Sequence, residues 1–467
     1  MGALALSCLW RSRPRHQERK FVRKLRSYFN LGSVGCQAGS RLASRRKMEK
    51  RLALSCSLAL RRGVLRQDVG AMLSSVVIAI VCLPALLTFI WFAEVLAGWL
   101  ALRKERVSPV VAPDTLSYRT TVLIPAHNEQ EGIPATVQDV QSQLGPHDRI
   151  LVVADNCTDD TAAIVHAAGV EVIVRADLAH RGKGYALEFG VRHLSLDPSD
   201  VVVIIDADCR LGENALRRLS DSAFASGRPV QSLYLMLAPE NAPPGKGVSL
   251  FAWRVKNWVR PLGLELLGLP TQLFGTGMAF PLSLLLDRDL GNSRLAEDTA
   301  LGIALAKAGY PPLFVSEARV HSYFPTSQAG SEQQRQRWEK GHLENIVDLV
   351  PRALAQSLRD KNLGLAALAI DMAVPPLSLL VLVTALCEIL GGISLVLGAP
   401  PAALAIPSLS TLLLVLGITL AWTTVGRDVL PLREFLRLPL HAIQKLGLYH
   451  RILSGKAASA WIRTDRK

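Results

Sequence analysis

The chain has 467 residues, of which 49% are hydrophobic, and its formal net charge is +14. Residues 1–70 contain 17 Lys and Arg but only three Asp and Glu, so the remainder of the chain carries no net charge. This balance argues against a nucleic-acid surface outside that segment, and we expect no nucleic-acid partner. The seven cysteines are odd in number and show no C-x-x-C spacing, which argues against a disulfide framework or a zinc site.

The basic N-terminal segment, residues 1–70, scatters arginine among serine, glycine and leucine without a clear periodicity. Met72 opens a long apolar run directly after it. Two explanations stay open for this segment: a disordered basic tail, or an upstream over-extension of the reading frame.

Three long apolar runs predict helices that span a membrane. The first is interrupted by Pro84 and Glu94, but at about 1.5 Å per residue it is too short for two crossings. We therefore expect one tilted or kinked helix there and one helix in each of the other runs. The three predicted spans are residues 71–102, 373–398 and 401–425.

Charges beside the first span set the expected orientation. Arg103 and Lys104 follow it directly, which places that end in the cytoplasm by the positive-inside rule. We therefore expect a multi-pass protein of the inner (plasma) membrane with residues 115–345 in the cytoplasm. Residues 346–425 would hold a surface helix and the last two spans, and residues 426–467 a basic amphipathic tail on the cytoplasmic side.

Residues 115–345 have the pattern of an α/β domain. Four short apolar runs end at polar residues: RTTVLIPAHNE, RILVVADN, VEVIVRAD and VVVIIDAD. Stretches of helical length separate them, which favours βαβ units and a mostly parallel sheet covered on both faces. Because ligands bind at the carboxyl ends of the strands in such sheets, we expect the polar residues that close these runs to lie together.

Two carboxylates, Asp206 and Asp208, close the fourth run. Residues two apart in a strand point the same way, so both carboxylates can face one ligand. Mg²⁺ or Mn²⁺ takes one or two protein carboxylates and fills its remaining positions with phosphate and water. The pair therefore predicts a metal site for a diphosphate; the alternative is two solvated acids at a strand end.

Other candidate donor-binding residues follow strands or open helices. Asp155 closes the second run and is a candidate for contact with a base or ribose. Lys183 lies among glycines in HRGKGYALEFG, before a helix, where a cation and backbone N–H groups suit phosphate. The segment FGTGMAF supplies a flexible loop that could lie close to a ligand.

Two further segments carry candidate acceptor-side and leaving-group residues. Glu297 and Asp298 open an apolar helix; Glu297 alone favours a helix cap, and Asp298 is a candidate general base. Gln334 and Arg337 share a helix face, and an arginine fork can hold a diphosphate. Trp338 offers an indole platform for a sugar ring, or else anchors a juxtamembrane helix at the interface.

Taken in this order, the segments resemble the membrane-bound family 2 glycosyltransferases, the group that contains bacterial cellulose, chitin and hyaluronan synthases. The resemblance covers roughly residues 115–345 and is carried by Asp206-Ala-Asp208, Glu297-Asp298 and the Q-x-x-R-W at 334–338. It implies a GT-A-type, Rossmann-like fold and an inverting, metal-dependent transfer of sugar from a nucleotide-diphosphate sugar, expected to be a UDP-sugar. The product would be a growing exopolysaccharide or cell-surface glycan.

The same resemblance implies roles for individual residues. Asp155 would contact the nucleotide, and Asp206 and Asp208 would hold the metal and diphosphate. Asp298 would be the base, Gln334 and Arg337 would support the diphosphate leaving group, and Trp338 would line the acceptor site. From its own position, Lys183 joins the candidate donor-binding residues, and Glu297 joins the candidate acceptor-binding residues. The implied cofactor is Mg²⁺ or Mn²⁺, and the implied partners are the nucleotide sugar, a glycan or lipid acceptor, membrane lipids and an export subunit.

Two features depart from the resemblance. Polymer-extruding members often have more than three spans, and Ala296 stands where the cellulose synthases carry a threonine. Non-processive transfer to a lipid acceptor, or a non-catalytic role as a membrane scaffold or export component, therefore stay open as alternatives.

Overall fold

The computed structural model describes residues 76–104, 117–239, 246–291 and 296–454. The two explanations for residues 1–70 concern a segment outside this range and stay predictions. The same holds for the last part of the tail beyond residue 454.

One eight-stranded sheet forms the centre of the domain. Its strands are β1 (Thr120–Ala126), β2 (Arg149–Asp155), β3 (Glu171–Arg175), β4 (Val201–Ile204), β5 (Arg210–Leu211), β6 (Val230–Leu237), β7 (Met278–Pro281) and β8 (Leu313–Tyr323). Their order in the sheet is β3-β2-β1-β4-β7-β6-β8-β5. The first half of the sheet is parallel, because β1 pairs with β2 and β4, and β2 with β3, all in the same direction.

The predicted βαβ units are confirmed in this parallel half. The apolar runs form its strands because both faces are covered: all four residues of β4 are fully buried. The intervening helices are Ile133–Gln141, Thr161–Ala167 and Lys183–Leu194.

The second half makes the sheet mixed. The strand β7 runs antiparallel to both β4 and β6, whereas β6 and β8 are parallel. A register shift between Ser232 and Leu233 interrupts the β6–β8 pairing. Helices between these strands are Ala215–Ser226, Lys246–Arg254, Arg260–Leu266, Ser283–Leu286 and Glu297–Lys307, with a π-helical turn at Val255–Val259.

Each face of the sheet has its own apolar core. One core joins Ile124 and Val203 to helix residues such as Leu216 and Leu219. The other joins Leu123 and Ile204 to Leu187 and Leu194 of the helix that follows β3. Alternate residues of one strand thus pack on opposite faces, which fixes the direction in which the residues after β4 point.

In the part of the chain that the structure describes, three helices are long and apolar enough to span a membrane, as predicted: Val76–Arg103, Leu377–Val396 and Ala402–Gly426. The first is one continuous helix despite Pro84 and Glu94. We call these helices the first, second and third spans.

The remaining helices connect the sheet domain to the spans. The surface helix expected at the start of residues 346–425 belongs to a longer helix, Gln328–Asp360, which also carries residues 334–338. Residues 246–266, called the interface helix below, pack against the first span: a methyl group on Gly98 would overlap the backbone of Val259. The others are Leu363–Ala373, Leu432–Phe435, Leu438–Gln444 and Leu446–Leu453.

Candidate active site

Lys183 connects two parts of the site. Its Nζ donates to Oδ1 of Asp206 and, over 2.6 Å, to the carbonyl oxygen of Gly275. Lys183 is the first residue of the helix Lys183–Leu194, at the position predicted from the glycines before it. Burial works to lower the pKa of Lys183, but the carboxylates of Asp206, Glu297 and Asp298 outweigh it and raise the pKa above its ordinary value.

Asp206 and Asp208 lie together after β4, as predicted. Oxygens of the two carboxylates and Sγ of Cys209 all lie within 4.8 Å of one another. The backbone N–H of Asp206 donates to Oγ1 of Thr276 over 3.0 Å, and Oγ of Ser322 donates to Oδ2 of Asp208 over 3.2 Å. The Asp208 carboxylate is thus held by Ser322, and the Asp206 carboxylate by Lys183.

The donor set suits a hard divalent cation. Carboxylate oxygens are preferred ligands of Mg²⁺ and Mn²⁺, whereas a thiolate is a soft ligand. Burial and the charge of Asp206 raise the pKa of Cys209 to about 12, so its thiol stays protonated. Asp206 and Asp208 therefore fit Mg²⁺ or Mn²⁺, whereas Cys209 contributes only an uncharged thiol beside them.

The Gly-Thr-Gly loop approaches the site closely. Gly275 and Gly277 have φ angles of +90° and +63°, which residues with a side chain rarely adopt. A methyl group on Gly275 would lie 3.2 Å from Oδ2 of Asp298 and 3.7 Å from Nζ of Lys183. The Asp298 carboxylate and the Lys183 ammonium thus both lie close to the α-carbon of Gly275. Only glycine, which has no side chain, leaves room for them there.

Glu297 and Asp298 occupy the first turn of the helix Glu297–Lys307, as predicted. The backbone N–H of Thr299 donates to Oδ1 of Asp298 over 2.8 Å, which leaves Oδ2 facing Gly275. Burial raises the pKa of Asp298 above its ordinary value, opposed by this N–H and by the charges of Lys183 and Lys256. Burial and the neighbouring Asp298 raise the pKa of Glu297 to about 7.

The predicted Q-x-x-R-W segment lies on one helix, and its residues differ in environment. Gln334 is only 3% exposed, and its Oε1 has no partner within the described residues. Burial lowers the pKa of Arg337, opposed by the carboxylates of Glu297 and Asp206. Trp338 instead packs against Trp253, with ring centroids 4.7 Å apart and tilted by 41°, at the edge of the core.

Asp155 lies apart from this cluster. It ends β2, which is separated from β4 by β1, a distance of about 10 Å across the sheet. Its Oδ1 accepts from Nη1 of Arg175 over 2.7 Å and from Nδ2 of Asn156 over 3.0 Å, in a buried ion pair. The structure thus brings Asp206, Lys183 and Asp298 together, and fixes Asp155 further along the same edge.

Sequence reasoning missed several residues of the site. Arg175, which closes β3 in VEVIVRAD, offered a signal, because it stands at a strand end beside Asp155. Thr276 is part of the predicted Gly-Thr-Gly loop, but it bonds to Asp206, which lies 70 residues earlier in the chain. Ser322 and Lys256 gave no local signal, since their positions depend on strand register and helix packing.

Residues 118–341 match the family described as "Glycosyltransferase like family 2". The chain is 28% identical over 253 residues to the probable glycosyltransferase YdaM of Bacillus subtilis, covering 48% of this chain and 55% of that protein. It is 31% identical over 121 residues to an uncharacterised glycosyltransferase of Mycobacterium tuberculosis, covering 24% of this chain and 51% of that protein. The chain thus spans about half the length of the curated relatives it matches.

The chain also aligns with solved structures, two of which are glycosyltransferases with a bound nucleotide. A mannosyltransferase of Pyrobaculum calidifontis, in complex with GDP-Man and Mn²⁺, is 19% identical, with a TM-score of 0.48, covering 81% of this chain and 99% of that one. The glucosyl-3-phosphoglycerate synthase of Mycobacterium tuberculosis, in complex with Mn²⁺, UDP and phosphoglyceric acid, is 23% identical, with a TM-score of 0.32, covering 48% of this chain and 78% of that one.

The family match includes β1 to β8, the carboxylates after β4, the Glu297-Asp298 pair and the Q-x-x-R-W segment. It is a match to family 2 as a whole and does not distinguish the cellulose, chitin and hyaluronan synthase group, which stays a prediction. The GT-A-type fold expected for the domain is confirmed. Residues 118–341 are a glycosyltransferase domain of family 2.

Proposed function

We propose that the protein is an inverting, metal-dependent glycosyltransferase that moves a sugar from a nucleotide-diphosphate sugar, a UDP-sugar, to a growing glycan at the membrane. One observation carries this proposal: Lys183 binds Asp206 and the Gly275 carbonyl, while Asp298 lies against Gly275. The candidate metal ligands and the candidate base are therefore held together by a single lysine and a single loop.

The donor would bind at the carboxyl edge of the parallel strands. Asp206 and Asp208 would hold Mg²⁺ or Mn²⁺, which when bound offsets the negative charge of the departing diphosphate. Arg337 and the buried amide of Gln334, on the helix Gln328–Asp360, would supply further diphosphate contacts. Asp155, which Arg175 holds in place, would accept from the base or ribose.

Asp298 would act on the acceptor. Its carboxylate takes the proton of the acceptor hydroxyl while the hydroxyl oxygen forms the new bond to the anomeric carbon. The bond from that carbon to the diphosphate oxygen breaks with its electron pair, so one displacement inverts the anomeric centre. A pKa raised by burial suits this role, because an efficient base has a pKa closer to the working pH.

The acceptor would lie between the domain and the membrane, with Trp338 and Glu297 beside it. A glycan is favoured by the Q-x-x-R-W segment, and export would then involve a partner subunit. Transfer to a lipid acceptor is the second candidate, favoured by the presence of three candidate spans in the described part of the chain. In both cases we place the protein in the inner membrane with the domain in the cytoplasm, on the charge beside the first span.

Nucleotide release by membranes that contain the full chain tests the proposal. The donors would be UDP-glucose, UDP-N-acetylglucosamine, UDP-galactose and GDP-mannose, each with Mg²⁺, with Mn²⁺ or with a chelator. We expect release from one donor, lost with the chelator and lowered at least about a hundredfold by Asp298→Asn or Asp208→Asn. Glu213→Gln, an exposed carboxylate near the same strands, is the control and should retain activity.

Product analysis separates the two acceptors. Label from the active donor that enters organic solvent identifies a lipid product, and label retained in a water-soluble polymer identifies a glycan. Folded protein that releases nucleotide from none of the four donors would overturn the proposal in favour of a scaffold. Full activity of Asp298→Asn would overturn the assignment of the base.

A further inference from the structure

Gln231 is the second residue of β6, and its side chain is fully buried. The glutamine amide lies beside the Gly-Thr-Gly loop, which precedes β7 in the chain. A buried amide has to be paired at both its oxygen and its nitrogen, so its partners show what it holds in place. Each partner of Gln231 belongs either to the loop segment 274–276 or to the neighbouring residue Ser232.

The amide of Gln231 binds the loop on both sides of Gly275. Its Oε1 accepts from the backbone N–H of Phe274 over 2.7 Å, and its Nε2 donates to the carbonyl oxygen of Thr276 over 3.0 Å. Nε2 also donates to the carbonyl oxygen of Ser232 over 3.0 Å. The oxygen meets a donor and the nitrogen meets two acceptors, so one orientation of the amide satisfies all three contacts. A single side chain thus holds the backbone just before and just after Gly275.

Regular pairing between β6 and β7 ends where this loop begins. The last pair joins Gln231 to Met278, and beyond it the backbone N–H of Ser232 donates to the carbonyl oxygen of Gly277 over 2.8 Å. The φ angles of +90° at Gly275 and +63° at Gly277 show that the loop is not extended. Because glycine permits several backbone shapes, the loop requires a further contact to hold one of them. The Gln231 amide supplies that contact.

The same loop is joined to Asp206 in two ways. The carbonyl oxygen of Gly275 accepts from Nζ of Lys183 over 2.6 Å, and Nζ also donates to Oδ1 of Asp206. Oγ1 of Thr276 accepts from the backbone N–H of Asp206 over 3.0 Å. The first connection holds the Asp206 carboxylate, and the second holds the Asp206 backbone. Both connections start from residues that lie between the two loop contacts of Gln231.

The hydroxyl of Thr276 has a defined direction. Its Oγ1 is fully buried with the rest of the side chain, and it donates to Sγ of Cys209 over 3.4 Å while it accepts from Asp206. A different loop shape would turn this hydroxyl away from both partners. The geometry of Asp206 therefore depends on the shape that Gln231 maintains.

We propose that Gln231 is a positioning residue for the metal site, and that its amide holds the Gly-Thr-Gly loop in the shape that orients Lys183 and Asp206. The inference rests on the proposed function, because it takes Asp206 as a ligand of Mg²⁺ or Mn²⁺. Gln231 acts on Asp206 through the loop, since its own hydrogen bonds end at the loop and at Ser232.

Mn²⁺ binding by the purified full chain tests this role without requiring sugar transfer. The electron paramagnetic resonance of free Mn²⁺ gives its Kd, with the ion alone and with UDP. Gln231→Met keeps a flexible, unbranched side chain but removes the amide. Residues that orient metal ligands typically contribute tenfold to a hundredfold in metal affinity, so we expect the Kd for Mn²⁺ to rise at least about tenfold.

Gln143→Met is the matched control. The Gln143 amide also accepts from a backbone N–H, that of Leu216, and donates to a backbone carbonyl, that of Gly212. Both groups lie outside the Gly-Thr-Gly loop. This variant should therefore leave the Kd for Mn²⁺ unchanged.

Two variants of Thr276 test the connection to Asp206 separately. Thr276→Val keeps the shape of the side chain but removes the acceptor for the Asp206 N–H, whereas Thr276→Ser keeps the hydroxyl. We expect Thr276→Val to raise the Kd for Mn²⁺ about tenfold and Thr276→Ser to bind like the wild type. Because Gln231 and Thr276 act through one loop, the double variant Gln231→Met, Thr276→Val should lose less affinity than the product of the two separate losses.

The inference is wrong if Gln231→Met melts at a lower temperature but binds Mn²⁺ like the wild type, which indicates packing alone. It is also wrong if Gln143→Met weakens binding equally, or if the two losses multiply fully in the double variant. Should Gln231→Met fail to fold, wild-type binding by Thr276→Val overturns the inference. A wild-type chain that binds no Mn²⁺, alone or with UDP, overturns both the metal site and this role. A wild-type chain that binds Mn²⁺ but releases nucleotide from none of the four donors refutes the proposed function alone.

Discussion

Arg260 of the interface helix donates from Nε to Oε2 of Glu94 in the first span, over 2.6 Å. Both side chains are buried, 6% and 4% exposed. Arg260 also donates to Oδ1 of Asp371, so one guanidinium joins the span, the interface helix and the helix Leu363–Ala373. The network fixes the interface helix, and with it the turn that carries Lys256.

Replacing Arg260 by Met should destabilise the protein strongly. The change leaves two carboxylates buried without their cation, and breaking a buried pair in this way typically costs about 3–5 kcal/mol of unfolding free energy. Chemical denaturation in detergent, followed by circular dichroism, measures the loss. Arg192→Met is the control, because it removes an ion pair to Glu188 whose arginine is 76% exposed, and should cost about 0–1 kcal/mol. Equal losses in the two variants would contradict the structural role of Arg260.

Gly275→Ala should reduce activity without unfolding the protein. Its φ of +90° makes any side chain strained by about 1–2 kcal/mol, and the methyl group would press on Asp298 and Lys183. Gly309→Ala is a matched control, since its φ is +92° but a methyl group there meets nothing within 4 Å. We expect similar melting temperatures for the two variants, and nucleotide release about tenfold or more lower in Gly275→Ala only. Equal activity would show that the loop lies away from the reacting groups.

The parallel half of the sheet could be predicted because its signals are local. β-Branched runs such as Val201–Ile204 are buried on both faces, and each ends at polar residues that mark the carboxyl edge. The same edge gathers Asp206, Asp208 and Lys183, so the donor side of the candidate site followed from strand direction. By contrast, β8 carries the polar segment SEARVHSY and a register shift, which hid both the strand and Ser322.

Contacts between distant segments explain what could not be predicted. Arg175 and Asp155 are separated by 20 residues, and Lys183 and Gly275 by 92, so no local pattern links them. Lys256 lies in a π-helical turn of a helix packed on the first span, and neither feature has a local signal in the sequence. Trp338 was expected at the acceptor, and its packing against Trp253 depends on a residue 85 positions away.

Glu297 should make the stability of chelator-treated protein depend on pH. Its pKa is raised from 4.5 to about 7, so the folded state binds a proton that the unfolded state has released between these values. This bound proton therefore stabilises the folded state fully below about pH 4.5, and the stabilisation is lost as the pH rises through about 7. Glu297→Gln should remove this decline, which amounts to at least about 1 kcal/mol. Denaturation midpoints across this range measure it, and an unchanged slope in Glu297→Gln, relative to Glu213→Gln, would disprove it.

The helices after the third span expose an apolar face. Five residues along it are between 53% and 70% exposed: Leu432, Leu436, Leu440, Ile443 and Leu446. On the other side, Nζ of Lys445 donates to Oε1 of Glu339 over 2.6 Å, which ties this segment to the helix Gln328–Asp360. An apolar face continuous with a span, beside basic residues, suits the headgroup region of a membrane.

A polarity-sensitive fluorophore at Ile443→Cys should therefore report an apolar environment in lipid nanodiscs. The label would be placed in a background in which Cys8, Cys36, Cys56, Cys82 and Cys157 are serine, because Cys209 and Cys387 are buried. The same fluorophore at Glu213→Cys, on the exposed surface of the sheet domain, gives the aqueous reference. We expect emission from position 443 to be blue-shifted relative to position 213, and the shift to disappear when Leu436 and Leu440 are both replaced by Glu, because two buried charges expel the face from lipid. Emission that matches the aqueous reference in nanodiscs would mean that this face is covered by water, and that the spans alone hold the protein in the membrane.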